Sequence, residues 1–211
     1  MNNLNVKEVT FDYLEEYNKI TSWYYVDSIL KLKKIKNGLG GIIFEEIDIK
    51  EKNNSFIKEN RSFYWDDKLN RYIKNYDIEE NLIDLPKEFD ITNWGILIAY
   101  YNEEPAGGAI LAYDTKNVNM LDKRKDLTVL WDIRVSDKFK NKGIGTSLFQ
   151  KAVDWSKKRN CTQMKIETQN INANACKFYA KQGAILGKID EYAYYNECDF
   201  ETQLIWYFDI K

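Results

Sequence analysis

The chain has 211 residues, enough for one substantial core, and 44% hydrophobic against 30% charged residues is a globular balance, too apolar for a disordered polymer. A formal charge of −2, from 31 basic and 33 acidic residues, leaves no basic stripe, so no nucleic-acid partner is expected. No run approaches the roughly 18 apolar residues of a membrane span, and Met1 to Phe11 lacks a basic flank leading into an apolar stretch; no membrane partner and a cytoplasmic location are the expectation.

In chain order, residues 7 to 35 read as helical, because Phe11, Leu14, Tyr17, Ile20, Tyr24 and Val26 to Leu30 recur at three- and four-residue steps. The glycine-rich stretch Asn37 to Gly41 breaks that pattern, Gly41 to Ile49 is a strand candidate, and Lys50 to Asn60 reads as loop. Arg61 to Phe89 has no clean period and reads as an irregular cap. From Asn93 the pattern is regular. Trp94 to Tyr101 and Pro105 to Tyr113 form a hairpin around Asn102-Glu103-Glu104, and Leu127 to Val135 is a third strand. An amphipathic helix follows Gly143, with Leu148, Ala152 and Trp155 on one face, and ends near Arg159-Asn160. Gln163 to Thr168 is the next strand, Asn172 to Gln182 a helix stopped by Gly183, and Gln203 to Asp209 the last strand. Strand, helix, strand, helix after a hairpin gives an α/β or α+β sheet with helices against it, in a single domain.

The residue inventory narrows the chemistry. There is no histidine, which removes the commonest general base and the commonest zinc ligand. Cys161, Cys176 and Cys198 have neither metal-ligand spacing nor a CxxC pair, so they read as buried or half-buried reduced thiols and no metal is expected. Proton transfer must use carboxylate, tyrosine, lysine, cysteine or water.

The most informative segment runs from Leu130 to Thr146. A strand enters a basic loop, Lys140-Asn141-Lys142, whose glycines Gly143 and Gly145 open a helix. Unpaired N–H groups and the positive dipole end of a helix N-terminus favour phosphate, and glycine lets backbone approach it. The spacing fits neither a Walker A loop nor a dinucleotide fingerprint. It resembles the pyrophosphate loop Q/R-x-x-G-x-G/A of the GNAT acetyltransferase superfamily, with Lys140 at the Q/R place. Asn172 to Ala184 resembles the same superfamily's N-x-x-A-x-x-F-Y-x-K-x-G-F helix, with Ala184 in place of the final aromatic. Val118 to Leu121, Leu130 to Val135, Glu167 to Asn170 and Gln203 to Tyr207 are similar to its streptothricin acetyltransferase-like branch. The resemblance covers about 93–211 well and the first ninety residues poorly.

What the resemblance implies is a GNAT-type, mostly antiparallel twisted sheet flanked by helices, with an acceptor-side cap in 1–92 and an acetyl-CoA-binding core in 93–211. It implies direct acetyl transfer from acetyl-CoA to a primary amine of a small-molecule acceptor, with streptothricin-like antibiotics first and polyamines or peptide amines next. A homodimer is allowed. Tyr179 takes the place of the acid that protonates the leaving thiolate, and Ile133, Arg134 and Val135 would bond the pantetheine arm through their backbone. Lys140, Asn141, Lys142, Gly143, Ile144, Gly145 and Thr146, with Asn172 and Ala175, complete the cofactor side. Asp132 is the candidate base, although it could simply pair with Arg134, and Glu167 is in reserve. Tyr24, Tyr25, Phe63, Tyr64 and Trp65 beside Asp66 and Asp67 could wall a cationic acceptor or could be core. The rivals are a non-catalytic acyl-CoA sensor and an interaction protein with a degenerate site. Against them stand Tyr179 and Asn172, and both loop glycines.

Overall fold

A computed structural model describes residues 4–52, 59–78, 81–195 and 200–211. In chain order these carry β1 (Leu4–Val9), α1 (Leu14–Tyr17), β2 (Trp23–Val26), β3 (Ser28–Ile35), β4 (Gly41–Asp48), β5 (Phe63–Asp66), β6 (Arg71–Asn75) and α2 (Leu85–Glu88). There follow β7 (Gly95–Tyr101), β8 (Glu104–Tyr113), β9 (Leu127–Val135), α3 (Ile144–Lys157), β10 (Gln163–Gln169), α4 (Ala173–Gln182), β11 (Ile185–Asp190) and β12 (Gln203–Asp209). The chain divides into two compact units, one of residues 1–22, 76–166 and 207–211, the other of 23–75 and 167–206.

In the first unit the strand order is β1-β7-β8-β9-β10-β12, with β1, β7, β8 and β9 successively antiparallel and β9 parallel to β10. The expected mixed, mostly antiparallel sheet with helices against it is therefore present. Side chains alternate across a strand, so neighbouring residues of β8 serve opposite faces. Ile110 and Ala112 pack with Leu14, Tyr17, Ile20, Leu82, Leu85 and Trp94 on one face. The other face receives α3, whose Leu148, Phe149, Ala152 and Trp155 are buried, as its apolar spacing predicts.

Two adjacent glycines make both faces fit. A Cβ on Gly107 would sit 2.8 Å from the Arg134 carbonyl oxygen and 3.0–3.1 Å from Ile144 and Leu148, while a Cβ on Gly108 would sit 2.3 Å from the ring of Tyr17. Glycine inside a strand marks this kind of close approach. At the far end, Gly95 makes the same room for Trp155, whose indole N–H donates to Glu8 at 2.8 Å.

The second unit holds an antiparallel sheet in the order β2-β6-β5, the hairpin β3–β4, and helix α4 against β3 and β11. Its core gathers Val26, Ile29, Ile49, Phe63, Trp65, Tyr72 and Ile171, with the Phe63 and Tyr72 rings stacked at 5.2 Å. Lys74 and Glu201 form a buried ion pair at 3.3 Å, and Lys74 also donates to the Ser62 hydroxyl at 3.1 Å. Removing one partner of such a pair strands the other's charge and costs about 3–5 kcal/mol.

The first ninety residues depart most from expectation. Only Phe11 to Tyr17 of the supposed helix 7–35 is helical; Leu4–Val9, Trp23–Val26 and Ser28–Ile35 are strands. Lys31 and Lys33 alternating with Leu30 and Leu32 is a period of two, and partners on β4 decided the outcome over the longer-range helical spacing. The expected cap at 61–89 contains the hairpin β5–β6, its turn held by the Asp66 carboxylate accepting the N–H groups of Lys68 and Leu69 at 2.9 Å. Strand β11 likewise lies where the sequence pattern gives no element. In the expected loop at 50–60, residues 53–58 lie outside the described residues; the rest of it has no regular structure.

Gly108→Ala is expected to destabilise the protein by about 1–3 kcal/mol, because the Tyr17 ring must move out of a filled face. Thermal unfolding should show a melting temperature lower by several degrees. An unchanged melting temperature would mean that Tyr17 can be displaced freely.

Candidate active site

Strand β9 is irregular where the sequence placed the chemistry. Its register with β8 jumps from Leu111↔Leu130 to Ile110↔Asp132, so Trp131 is the extra residue of a β-bulge. Its parallel register with β10 runs only from Leu127 to Leu130, opposite Gln163 to Ile166. Beyond that point β9 pairs with β8 alone among the described residues: Asp132, Ile133, Arg134 and Val135 oppose Ile110, Ala109, Gly108 and Gly107.

Ser136 donates its N–H to the Ala106 carbonyl at 2.9 Å. Hydrogen-bonded and non-hydrogen-bonded pairs alternate in an antiparallel ladder, which makes Arg134 with Gly108 the next bonded pair. The N–H and C=O of Ile133 and Val135 therefore turn away from β8, toward the side where the β10 register has ended. Arg134 uses its own backbone on β8, so of the three expected pantetheine-binding residues Ile133 and Val135 are the two whose backbone groups face away from β8, and no strand pairs with them among the described residues.

The Arg134 side chain is committed as well. Its guanidinium forks onto Asp132, Nε to Oδ2 at 2.8 Å and Nη2 to Oδ1 at 3.1 Å, while Nη1 donates to the Ile20 carbonyl at 3.1 Å and to Asp77 at 3.4 Å. The Tyr17 hydroxyl donates to Asp132 Oδ2, and the Tyr17 ring lies 5.5 Å from the guanidinium carbon. Burial, reinforced by the Asp132 charge, pushes the Tyr17 phenol well above its ordinary range, so it stays protonated as the donor. Burial also works against the Arg134 charge, but Asp132, Tyr17 and Asp77 more than offset it and hold Arg134 above its ordinary value. Of the two open readings of Asp132, the structure displays the pairing with Arg134, with Tyr17 added.

After β9 the chain makes one turn of 3-10 helix at Asp137–Phe139, with Phe139 buried, and then bends through Asn141 and Gly143, both left-handed at φ 62° and 78°. Gly143 caps α3, and a Cβ there would meet nothing within 4 Å, so the helix N-terminus opens onto free space. Lys140 pairs with Asp137 at 2.9 Å and the Lys142 ammonium lies 5.2 Å from the Tyr101 ring centroid. Asn141, Lys142, Gly143 and Thr146 are exposed and Gly145 half-buried, whereas Ile144 is core, so only its backbone N–H can serve a ligand.

In the second unit, the Asn172 side-chain oxygen caps α4 by accepting the Ala175 N–H at 3.0 Å, which assigns both residues a structural duty. Tyr179 is buried on the same helix, its ring 5.4 Å from Phe178 and 6.4 Å from Trp206. Glu167, half-buried on β10, accepts a hydrogen bond from the Tyr194 hydroxyl. Of the supposed aromatic wall, Phe63 and Trp65 are core, and Tyr25 is covered by the Arg71 guanidinium at 4.0 Å. Asp66 holds its turn and Asp67 pairs with Lys52, so the cluster is mainly structural. Cys161 and Cys176 are buried free thiols that burial pushes up to about 11 and about 12, and Cys198 lies outside the described residues. No group of potential metal ligands occurs among the described residues.

A bulged strand thus runs straight into a helix opened by glycine. The acetyltransferase (GNAT) family model matches residues 57–184, more than half of the chain. The chain belongs to the GNAT family. Streptothricin acetyltransferase A of Bacillus subtilis (strain 168) is 34% identical over 113 residues, 51% of this chain, and the match spans 65% of that relative's length. Nourseothricin acetyltransferase has the same fold at a TM-score of 0.70 and 16% identity, over 99% of each chain. A Bacillus anthracis str. Ames protein provisionally named a streptothricin acetyltransferase, solved in complex with acetyl coenzyme A, superposes at a TM-score of 0.68 and 25% identity over 99% of this chain and 98% of its own.

Within this GNAT chain, sequence reasoning located β9, the glycine turn and α4, and missed Tyr17 and Tyr194, which no motif singles out. The adjacent glycines of β8 were the available signal for Tyr17, since paired glycines in a strand announce a large side chain against it. Asp132→Asn is expected to act first on stability: the buried guanidinium loses the charge of its forked partner and keeps only the more distant Asp77, at a cost of up to about 3–5 kcal/mol. Chemical denaturation should record this as a lower midpoint at unchanged slope. A stability equal to wild type would separate Asp132 from the support of β9.

Proposed function

We propose that this protein is an acetyl-CoA-dependent N-acetyltransferase that transfers acetyl directly to a primary amine of a small cationic acceptor in a ternary complex, with streptothricin-type antibiotics as the leading class. The observation that carries the reading is the edge of β9, where Ile133 and Val135 turn backbone donors and acceptors away from β8 immediately before a helix opened by Gly143. An extended pantetheine arm can pair with such an edge as an added strand. The phosphates then suit the N–H groups of Gly143, Ile144, Gly145 and Thr146, with Lys140, Asn141 and Lys142 beside them. The open space at Gly143 fits this use, and the kinship with streptothricin acetyltransferases and a structure holding acetyl coenzyme A supports it.

Acetyl-CoA supplies the acetyl group as a thioester and is left as the free thiol. An ammonium has no lone pair, so the protein must first take a proton from the acceptor. Both Asp132 oxygens already accept hydrogen bonds within the β9 support, so we assign the proton to Glu167, whose Oε1 accepts from Tyr194 and whose Oε2 has no protein partner among the described residues. The nitrogen, left neutral by that transfer, forms the C–N bond as the C–S bond breaks; Tyr179 gives its phenolic proton to the departing sulfur, the second proton shed by the nitrogen returns through solvent to the Tyr179 phenolate, and the proton on Glu167 is released, so that ammonium and thioester become amide, thiol and one proton. Asn172 and Ala175 serve by holding the α4 cap that fixes Tyr179.

Free thiol should appear when the protein is mixed with acetyl-CoA and streptothricin, and more slowly with polyamines or peptide amines; no thiol with any of them would overturn the reading. Tyr179→Phe should lower kcat by roughly 10²–10⁴ with acetyl-CoA affinity preserved. Gly143→Asp should abolish acetyl-CoA binding in calorimetric titration, by placing bulk and negative charge where phosphate belongs. Full turnover of the first variant, or full affinity of the second, contradicts the assigned role.

A further inference from the structure

We infer that Tyr194 is the positioning residue of the acceptor side: its hydroxyl holds the Glu167 carboxylate so that one oxygen stays free to receive the acceptor's proton. The inference rests on Glu167 as base and adds the residue that makes the base work. Glu167 is the first residue of β10 past Ile166, where pairing with β9 ends. Gln169, two residues on, shares its face of the strand. Both reach the same tyrosine: the Gln169 side-chain amide donates to the Tyr194 oxygen at 3.4 Å, and the Tyr194 hydroxyl donates to Glu167 Oε1. The hydroxyl is thus fixed between an acceptor and a donor from one strand face, and its proton has one direction to point.

The turn carrying Tyr194 is built for that placement. The Asp190 carboxylate accepts the Tyr192 N–H at 3.1 Å, and the Tyr192 carbonyl accepts the Tyr195 N–H at 3.2 Å, closing a tight loop after β11. Lys34 anchors its edge through Glu191 at 2.9 Å. Of the three tyrosines in this loop, Tyr192 and Tyr195 turn outward, 71% and 67% exposed, while Tyr194 turns in. Burial and the Glu167 charge raise the Tyr194 phenol far above its ordinary range, so it remains a donor throughout the working pH. A neutral donor is suited to the task, because it orients a carboxylate without cancelling the charge that attracts a cationic amine. At Asp132 the guanidinium of Arg134 does cancel it.

A double-mutant cycle on the full-length protein tests this, with thiol release as the readout. Tyr194→Phe keeps the ring and should lower kcat about 10- to 100-fold, the scale of one hydrogen bond to a charged group, with KM for acetyl-CoA unchanged. In a Glu167→Gln background the same substitution should cost less than about twofold, since there is no carboxylate left to orient. Equal losses in both backgrounds, or a loss of acetyl-CoA affinity alongside kcat, would make Tyr194 a structural residue and overturn the inference. If Glu167→Gln retains full turnover, the base assignment itself fails, a result distinct from additivity of two harmful substitutions.

Discussion

The ion pair between Arg134 and Asp132 is the constraint on which the first unit depends. A guanidinium on β9 is buried beside the sheet, and burial of a charge is tolerable only with a geometrically matched counter-charge and satisfied donors. Asp132 supplies the fork, Ile20 a carbonyl, Asp77 a second charge and Tyr17 a ring and a hydroxyl. Tyr17 in turn requires Gly108, and its segment is held by Ser22 donating to Asp77 at 3.0 Å. The bulge at Trp131 sits immediately before this group, so the point at which β9 loses β10 is also the point at which it is most firmly tied to the other face of its own sheet. An edge with unpaired backbone would otherwise be free to fray.

The same surroundings set Asp132 apart from the other candidate carboxylate, Glu167. Asp132 and Glu167 lie on neighbouring strands of the sheet, and the sequence offers Asp132 as the first proton acceptor with Glu167 in reserve. Their environments differ in kind. One is saturated by a cation and a phenol; the other, among the described residues, is met by a phenol. Pairs of acidic groups set apart by surroundings in this way are how one fold assigns distinct duties to the same functional group.

What the sequence made legible follows the strength of local signals. The stretch from Trp94 to Gly183 has period-two strands, a period-3.6 helix and glycine punctuation that all agree, and each element appears there within a residue or two. The turn into α3 was legible because Gly143 acts locally, left-handed at the helix cap. The first ninety residues were not, because a segment such as Trp23–Val26 becomes a strand by pairing with Arg71–Asn75, nearly fifty residues away. The same limit hid Tyr17 and Tyr194. Each matters through a partner 115 or 27 residues away, and nothing in its own neighbourhood announces it.

The side-by-side glycines of β8 carry a consequence for how such a protein can diverge. Gly107 and Gly108 face opposite layers, so any enlargement at either position pushes on a different wall, and no single neighbouring change relieves both. The strand is therefore a poor place from which to acquire a new specificity. Innovation is channelled outward to loops whose side chains already face solvent, among which the tyrosine-bearing turn after β11 can be rewritten at Tyr192 and Tyr195 while the sheet behind β9 stays as it is.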